Sequence, residues 1–169
     1  MKFRLANKSD VEEILNIIQE GQKFFKENGI DQWQNGYPNR ETVLNDIDNV
    51  ESYVLIDDEN IIEGVCVISF REEITYNKIY DGEWIGGDIP YGVVHRIAVR
   101  SSLKKKGFGS IMFKEAERIC RERKITSLRV DTHEDNKPMQ GLVKKNGFTY
   151  CGVIYLRDGA KRIGFEKFV

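Results

Sequence analysis

The segment from Val94 to Ser110 limits the possible folds of this chain more than any other. It runs VHRIAVRSSLKKKGFGS, an apolar stretch followed by a basic turn with two glycines and then by an amphipathic helical pattern. This order predicts a strand, a tight turn and the start of a helix. The free amides and the positive dipole end of a helix start bind phosphate groups well. The segment therefore predicts a site for a phosphorylated ligand.

The turn itself carries the residues that suit an anion. Gly107 and Gly109 allow the backbone to approach a phosphate closely, and Lys104, Lys105 and Lys106 add positive charge beside it. A lysine triplet is also found in nucleic-acid and heparin patches. The net charge of −1 and the lack of other basic stretches argue against that alternative, so we expect no nucleic-acid partner.

Composition favours one ordinary globular domain over residues 1–169, with 40% hydrophobic and 31% charged residues. The apolar runs are too short to span a bilayer, and no signal peptide is visible, so we expect no membrane association. The odd number of cysteines, three, at apolar positions predicts reduced thiols and a cytoplasmic protein. Two distant histidines without a Cys/His pattern predict no metal site.

The hydrophobic periodicity predicts eleven elements in the order β-α-α-β-β-β-α-β-α-β-β, which is a mixed α/β sheet with helices on its faces. We place the first helix after a capping box formed by Ser9 and Glu12. The predicted strands are Lys2–Leu5, Ser52–Ile56, Ile61–Phe70, Gly92–Arg100, Thr126–Asp131, Phe148–Ile154 and Arg162–Phe168, and the later helices are Arg40–Ile47, Gly107–Arg123 and one capped by Asp135 or Asn136.

Two motifs in this order resemble the GNAT superfamily of N-acetyltransferases. The family's phosphate-loop pattern Q/R-x-x-G-x-G/A falls on Lys104, Gly107 and Gly109, and its later Asn and Lys-x-Gly-Phe-like turn fall on Asn136 and Lys145–Phe148. In element order the resemblance covers Lys2 to Val169. It implies the acyl-CoA N-acyltransferase fold, a central, mostly antiparallel sheet that is splayed between its fourth and fifth strands and flanked by helices.

The resemblance also implies acetyl-CoA as the acetyl donor. Backbone groups of Ile97, Ala98 and Val99 would then bind the pantetheine arm, and Asn136 would reach its thioester end. The pyrophosphate would be held by the amides of Lys104, Lys105, Lys106, Gly107, Phe108, Gly109 and Ser110. This chain has Lys104 where the family usually has Gln or Arg. It has Val143 where many relatives carry a tyrosine general acid, so that role is not carried over.

Acetyl transfer to an amine requires a proton acceptor, because deprotonating an alkyl ammonium at pH 7 costs about 4–5 kcal/mol. His95 and His133 are the candidates, since the ordinary pKa of histidine suits a general base. His95 lies on the predicted fourth strand and His133 just after the fifth. A purely structural role for each histidine, Asp131 as the acceptor and a water chain reaching Glu83 or Glu72 are the alternatives.

The segment from Glu72 to Asp88 indicates where an amine would bind. It holds five acidic residues and one lysine, with aromatic residues interleaved, a composition that suits a cationic amine through charge and cation–π contacts. The predicted substrate contacts are Tyr80, Glu83 and Trp84, with Trp33 from an earlier loop. The alternative is a solvated loop that its aromatic residues attach to the core.

Three functions fit these observations. The first, which we favour, is an N-acetyltransferase that acts on a small-molecule amine, a peptide N-terminus or a lysine. The second is a non-catalytic CoA-binding regulatory or partner domain. It is supported by Val143, which stands where a catalytic tyrosine would be expected. The third, an unrelated nucleotide-binding domain, lacks the usual glycine motifs. We also expect a homodimer in which the terminal strands pair across subunits.

Overall fold

The computed structural model describes all 169 residues, Met1–Val169. Its order of helices and strands confirms the sequence prediction, and the bounds agree to about one residue because each element carries its own apolar period. The elements are β1 (Lys2–Leu5), α1 (Val11–Glu27), α2 (Arg40–Asp48), β2 (Ser52–Ile56), β3 (Ile62–Ser69), β4 (Tyr91–Val99), α3 (Phe108–Glu122), β5 (Ser127–Thr132), α4 (Lys137–Lys145), β6 (Thr149–Tyr155) and β7 (Lys161–Phe168).

The strands form a seven-stranded sheet in the order β1-β2-β3-β4-β5-β7-β6. The sheet is mostly antiparallel, and β4 and β5 are its parallel pair. The ladder between β4 and β5 covers only Tyr91–Val93 against Ser127–Arg129, although β4 continues to Val99. The mixed α/β class and the mostly antiparallel sheet predicted from the sequence are thus confirmed.

The chain divides into two compact units, one formed by Met1–Ile68 with Arg96–Glu115 and the other by Ser69–His95 with Ala116–Val169. Strand β4 and helix α3 contribute residues to both. The first unit packs α1 and α2 on β1, β2 and β3. Its core consists of Val11, Ile14, Ile17, Ile18, Val43, Ile47, Val54, Ile56, Ile62 and Val65. The apolar residues of α1 recur every three or four positions, so one face of the helix is buried.

The predicted capping box before α1 is wrong by two residues. A short 3₁₀ turn, Lys8–Asp10, precedes the helix, and the box is formed by Asn7 and Asp10. The Ser9 hydroxyl donates to the Asn7 side chain, so it does not cap α1. Both guanidinium Nη atoms of Arg4 donate to the Asp10 carboxylate at 2.7 and 2.9 Å, which lowers the pKa of that carboxyl.

The second unit has a smaller apolar core and a buried ion pair. The core consists of Tyr76, Trp84, Val93, Cys151 and Ile154. Arg129 on β5 and Glu166 on β7 are paired residues of the antiparallel ladder, and Arg129 Nε lies 2.9 Å from Glu166 Oε1. Their side chains are only 2% and 0% exposed, so both charges depend on each other and on local hydrogen bonds.

The same ion pair holds the segment that precedes β4. Arg129 Nη2 donates to the Gly87 carbonyl at 2.6 Å, and the Gly86 amide donates to Glu166 Oε2 at 3.0 Å. The Arg129 guanidinium also lies over the rings of Trp84 and Tyr91, 4.4 and 4.0 Å from their centroids. Removing either charged residue would therefore leave a buried partner and would also release this segment.

We expect Arg129→Ala to lower the free energy of unfolding by about 3–5 kcal/mol, because it leaves the Glu166 carboxylate buried without its counter-ion. Urea denaturation followed by circular dichroism measures the loss. Arg118→Ala is the matched control, since Arg118 pairs with Glu122 on the exposed face of α3, where such pairs contribute less than about 1 kcal/mol. Equal losses in the two variants would contradict this account.

Candidate functional site

The turn between β4 and α3 contains backbone N–H groups that donate no hydrogen bond to the protein. A 3₁₀ turn, Ser101–Leu103, follows β4, and the backbone is left-handed at Lys105 (φ 65°) and Gly107 (φ 91°). The amides of Lys104, Lys106 and Ser110 donate hydrogen bonds to nearby backbone carbonyls. The amides without a partner are those of Lys105, Gly107, Phe108 and Gly109. These amides lie where the dipole of α3 is positive, which suits an anion.

The three lysines of the turn differ in their surroundings. Lys104 Nζ lies 3.8 Å from the centroid of the Phe24 ring, and desolvation there lowers the pKa of the Lys104 ammonium. Lys105 and Lys106 are exposed and form no ion pair. The mobile positive charge beside the unpaired amides therefore comes mainly from Lys105 and Lys106, while Lys104 contacts α1.

The start of the turn is anchored in the first unit. The Ser101 amide donates to Glu20 Oε2 on α1 at 2.6 Å. Arg100 Nε donates to the Ile62 carbonyl on β3 at 2.7 Å and lies 3.3 Å from Glu63 Oε2. Because these contacts fix the residues just before the turn, the unpaired amides are presented by backbone that is already ordered.

Strand β4 contains a feature that the sequence did not indicate. Arg96 has a φ of 47°, a left-handed conformation that typically costs a non-glycine residue about 1–3 kcal/mol. Its guanidinium donates to both oxygens of Asp46 on α2, at 2.6 and 2.8 Å, and to the Tyr37 hydroxyl at 2.9 Å. Asp46 is buried, and these charge-assisted hydrogen bonds hold the Arg96 side chain in place beside the left-handed backbone.

The left-handed residue interrupts the alternation of β4. Regular pleating would place His95 on the same strand face as Ile97 and Val99, but this relation does not extend across Arg96. Ile97, Ala98 and Val99 are half-buried residues of the last part of β4. Their predicted contacts with a pantetheine arm stay a prediction.

His95 lies beside a carboxylate in the second unit. His95 Nε2 is 3.4 Å from Glu73 Oε2, and both side chains are partly buried. The pKa of Glu73 is lowered to about 2, mainly by its interaction with His95. Glu73 is therefore ionised at neutral pH. Sequence reasoning passed over Glu73 because it lies in an irregular segment 22 positions from His95, where no periodicity links the two.

His133 has a different environment. Its Nδ1 accepts a hydrogen bond from the Asp135 amide at 3.1 Å, so in the neutral imidazole the proton is on Nε2. The lone pair of the basic nitrogen, Nδ1, is therefore engaged in this hydrogen bond. That contact orders the loop before α4. It favours a structural role for His133 over that of a general base, although its catalytic role stays a prediction.

Asn136 and Asp131 also have partners within the second unit. Asn136 is buried and caps α4, where its Oδ1 accepts the Met139 amide at 3.2 Å. The N-cap was predicted from the sequence and is confirmed, whereas the contact of Asn136 with a cofactor is not tested. Asp131 accepts the Tyr76 hydroxyl at 2.7 Å, and burial raises the pKa of Tyr76 well above its ordinary value.

The four residues predicted to contact an amine lie in unlike environments. In the first unit Trp33 packs edge-on against Phe25, with ring centroids 5.6 Å apart. In the second unit Trp84 is 8% exposed and its indole N–H donates to the Tyr76 carbonyl at 2.9 Å. Tyr80 and Glu83 are exposed. The burial of Trp84 favours the packing alternative for this residue.

Tyr80 already has a cation on its ring. Lys78 Nζ lies 4.9 Å from the Tyr80 centroid, and Tyr155 packs edge-on against the same ring at 5.3 Å. The backbone of Tyr80 exchanges two hydrogen bonds of 2.8 Å with Val153 on β6. An acceptor ammonium on the same face of this ring would therefore compete with Lys78.

Several further groups are buried without a role in the site. Val143 is fully buried in α4 and supplies no proton. Cys66, Cys120 and Cys151 are free and buried, as predicted, and burial raises the pKa of the Cys120 thiol to about 12. No group of three or more His, Cys, Asp and Glu side chains suited to a metal ion is present. None of the helices combines the length and apolar character that a membrane crossing requires.

Comparisons with known proteins bear on the family and the fold of this chain. The family model described as "Acetyltransferase (GNAT) family" matches residues 14–148. The chain is similar to the crystal structure of a GNAT-family acetyltransferase from Streptococcus agalactiae, with 31% identity, a TM-score of 0.88, and coverage of 99% of this chain and 95% of the other. A GNAT-family acetyltransferase from Listeria monocytogenes matches 99% and 94% of the two chains, at 18% identity and a TM-score of 0.76, which shows the fold alone.

One curated relative also matches. It is the uncharacterised protein YxbD of Bacillus subtilis, which is 25% identical over 101 residues, or 60% of this chain. The chain spans 52% of the length of that relative. This relative carries no information about the acceptor.

The lowered pKa of Glu73 predicts a pH-dependent stability. The folded protein binds the Glu73 proton only near pH 2, whereas an ordinary glutamate binds it near pH 4.3. The ionised carboxylate therefore contributes stability above about pH 5, and this contribution is lost as the pH falls towards 2. Unfolding of wild type and Glu73→Gln in urea should differ most above pH 5, and the two should converge at lower pH.

Glu59→Gln is the control for the loss of one carboxylate, since Glu59 lies in the exposed turn between β2 and β3. A difference between wild type and Glu73→Gln that stays constant from pH 7 to pH 3 would contradict the assignment.

Proposed function

The chain belongs to the GNAT acetyltransferase family, and we propose that it transfers the acetyl group of acetyl-CoA to a primary amine. The observation that carries this proposal is the set of four unpaired amides at Lys105, Gly107, Phe108 and Gly109. They lie at the start of a fifteen-residue helix, beside two exposed lysines that have no partner. An anion with several oxygens, such as a pyrophosphate, satisfies such a set of donors.

The residues of the turn fit coenzyme A as a ligand. A Cβ built on Gly107 would meet no atom within 4 Å, so the backbone there faces open space that a phosphate could occupy. We propose that Lys104 to Ser110 hold the pyrophosphate and that the backbone of Ile97, Ala98 and Val99 binds the pantetheine arm. The restricted pairing of β4 with β5 supports the second part, because strand residues without a full set of partners can pair with an extended ligand.

The proposed reaction is a direct attack in a ternary complex. The amine loses a proton to the protein, its nitrogen forms a bond to the acetyl carbonyl carbon, and the carbon–sulfur bond breaks with release of the thiolate. Holding both reactants in one complex supplies much of the acceleration. We propose His95 as the proton acceptor, since its partner Glu73 stabilises the protonated imidazole and the Nδ1 of His133 is already used.

The non-catalytic alternative keeps one supporting observation. Val143 is fully buried where many relatives carry a tyrosine, so no proton donor for the thiolate stands at that position. The free thiol of coenzyme A is acidic enough to leave as a thiolate near neutral pH. We therefore favour the catalytic function and propose that thiolate departure needs no donor from α4.

The acceptor is proposed only as a class. A ribosomal-protein-alanine N-acetyltransferase from Brucella melitensis resembles this chain over its whole length, but at 18% identity it shows the fold alone. We propose a cationic amine that binds near Glu83 and Tyr80, with Trp33 and Trp84 as further candidate contacts. The buried, free cysteines support a cytoplasmic location. A homodimer formed through the terminal strands stays a prediction.

Thiol release from acetyl-CoA, measured with polyamines, amino acids, aminoglycosides and short peptides, tests the function. We expect amine-dependent release with at least one class, and mass spectrometry of the product should show one added acetyl group. Tight binding of coenzyme A without release on any amine would favour the non-catalytic alternative. Competition of ATP or NAD against coenzyme A would instead indicate an unrelated nucleotide site.

Gly107→Ala should weaken coenzyme A binding by about tenfold or more, because the new Cβ would occupy the open space beside the backbone and alanine disfavours φ 91°. Isothermal titration calorimetry measures the change. Gly159→Ala is the matched control: Gly159 also has a positive φ of 83° and open space around its Cβ, but it lies in the turn between β6 and β7. Both variants should lose similar stability, and unchanged affinity in Gly107→Ala would refute the phosphate assignment.

A further inference from the structure

We propose that Glu73 is a positioning residue that sets the tautomer of His95, so that Nδ1 is the nitrogen that accepts the amine proton. The catalytic consequence rests on the proposed function, whereas the geometry does not. The observation that carries the proposal is that the two oxygens of the Glu73 carboxylate make different contacts. Each has its own partner, and the two partners lie on different elements.

The first oxygen fixes the orientation of the carboxylate. Glu73 caps the 3₁₀ turn Ile74–Tyr76, and its Oε1 accepts both the Thr75 hydroxyl at 2.7 Å and the Thr75 amide at 3.2 Å. Because these two donors hold Oε1, the direction of Oε2 is fixed as well. Oε2 lies 3.4 Å from His95 Nε2 on β4.

The turn that carries Glu73 is itself anchored. Tyr76 at its end is 2% exposed, and its hydroxyl donates to Asp131 on β5 at 2.7 Å. The Tyr76 carbonyl accepts the indole N–H of Trp84 at 2.9 Å, and the Tyr76 amide donates to the Glu73 carbonyl at 2.8 Å. The turn therefore has little freedom to carry Glu73 away from His95.

The chemistry follows from the ionised state of Glu73. An ionised carboxylate only accepts hydrogen bonds, so the neutral imidazole beside it places its proton on Nε2 and keeps the lone pair on Nδ1. That lone pair takes the proton from the acceptor ammonium, and the imidazolium that forms is stabilised by the carboxylate. The freed amine then attacks the thioester carbonyl, and the carbon–sulfur bond breaks as the thiolate leaves. The attacking nitrogen gives up its second proton to water, and the proton on Nδ1 returns to solvent. The other titratable groups around the turn are Tyr76, Asp131 and Tyr91.

His133 provides an internal contrast. It also has a carboxylate nearby, with Asp135 Oδ2 3.8 Å from its Nδ1, but the same Nδ1 accepts the Asp135 amide. Its neutral form therefore has no unused basic nitrogen. In His95 the carboxylate of Glu73 lies beside Nε2, whereas in His133 the carboxylate of Asp135 lies on the side of Nδ1.

Nitrogen-15 NMR of the histidine side chains tests the positioning without any substrate. In the neutral wild type we expect the His95 proton on Nε2, with the His95 signals identified by their loss in His95→Gln. In Glu73→Gln the side-chain carbonyl still accepts from Thr75, which turns the amide N–H₂ group towards His95 Nε2. The proton should then move to Nδ1. A wild-type proton on Nδ1, or the same tautomer in both proteins, would overturn the proposal.

Kinetics test the consequence for the reaction. Glu73→Gln should lower kcat by about tenfold or more, within the range that general base catalysis contributes, and leave the Kd for coenzyme A unchanged. Glu59→Gln, which removes an exposed carboxylate from the turn between β2 and β3, should keep the wild-type kcat. Glu73→Asp keeps the charge and the capping oxygen, and it should recover part of the rate.

The two measurements separate the possible failures. A wild-type kcat in Glu73→Gln, together with a changed tautomer, would overturn the role of Glu73 in catalysis. Absence of acetyl transfer by the wild type would overturn that role together with the proposed function, while the NMR result would still decide whether Glu73 sets the His95 tautomer.

Discussion

Backbone amides at the start of a helix have no partner within the helix, and the proposed function of this protein depends on how the turn before α3 presents them. Lys105, Gly107, Phe108 and Gly109 leave four amides unpaired in one short stretch. The left-handed backbone at Gly107 and the contacts of Arg100 and Ser101 with their neighbours hold that stretch in place. In the first unit of the chain β4 thus leads into an ordered turn with unpaired amides, where we propose that phosphate binds.

The second unit contains a long irregular segment between β3 and β4, and polar contacts order this segment. Three contacts do so: the Tyr76 hydroxyl on Asp131, the indole of Trp84 on the Tyr76 carbonyl, and Arg129 with Glu166 on the backbone of Gly86 and Gly87. Each uses a polar group with almost no exposure to solvent. Ordering this segment also places Glu73 beside His95, so the stabilising network and the carboxylate partner of the proposed proton acceptor share the same short turn.

The order of helices and strands could be predicted from the sequence because local periodicity and caps determine it. The features that could not be predicted depend on contacts between distant positions. Arg96 carries no glycine-like signal for its left-handed backbone, which Asp46 and Tyr37 impose from other elements. A buried Arg129 resembles a solvent-facing strand residue until Glu166 is placed beside it. Ser9 matched a capping pattern, but Asn7 lies two residues earlier and forms the box.

The central claim is that the unpaired amides before α3 hold the pyrophosphate of coenzyme A. Amide chemical shifts recorded during a titration with coenzyme A test it most directly, because they report each backbone N–H separately. The account predicts saturable downfield shifts at Lys105, Gly107, Phe108 and Gly109, which gain charged acceptors. Much smaller shifts are expected at Gly159, whose amide already donates to the Leu156 carbonyl. Binding of coenzyme A that leaves these four amides unchanged would contradict the account.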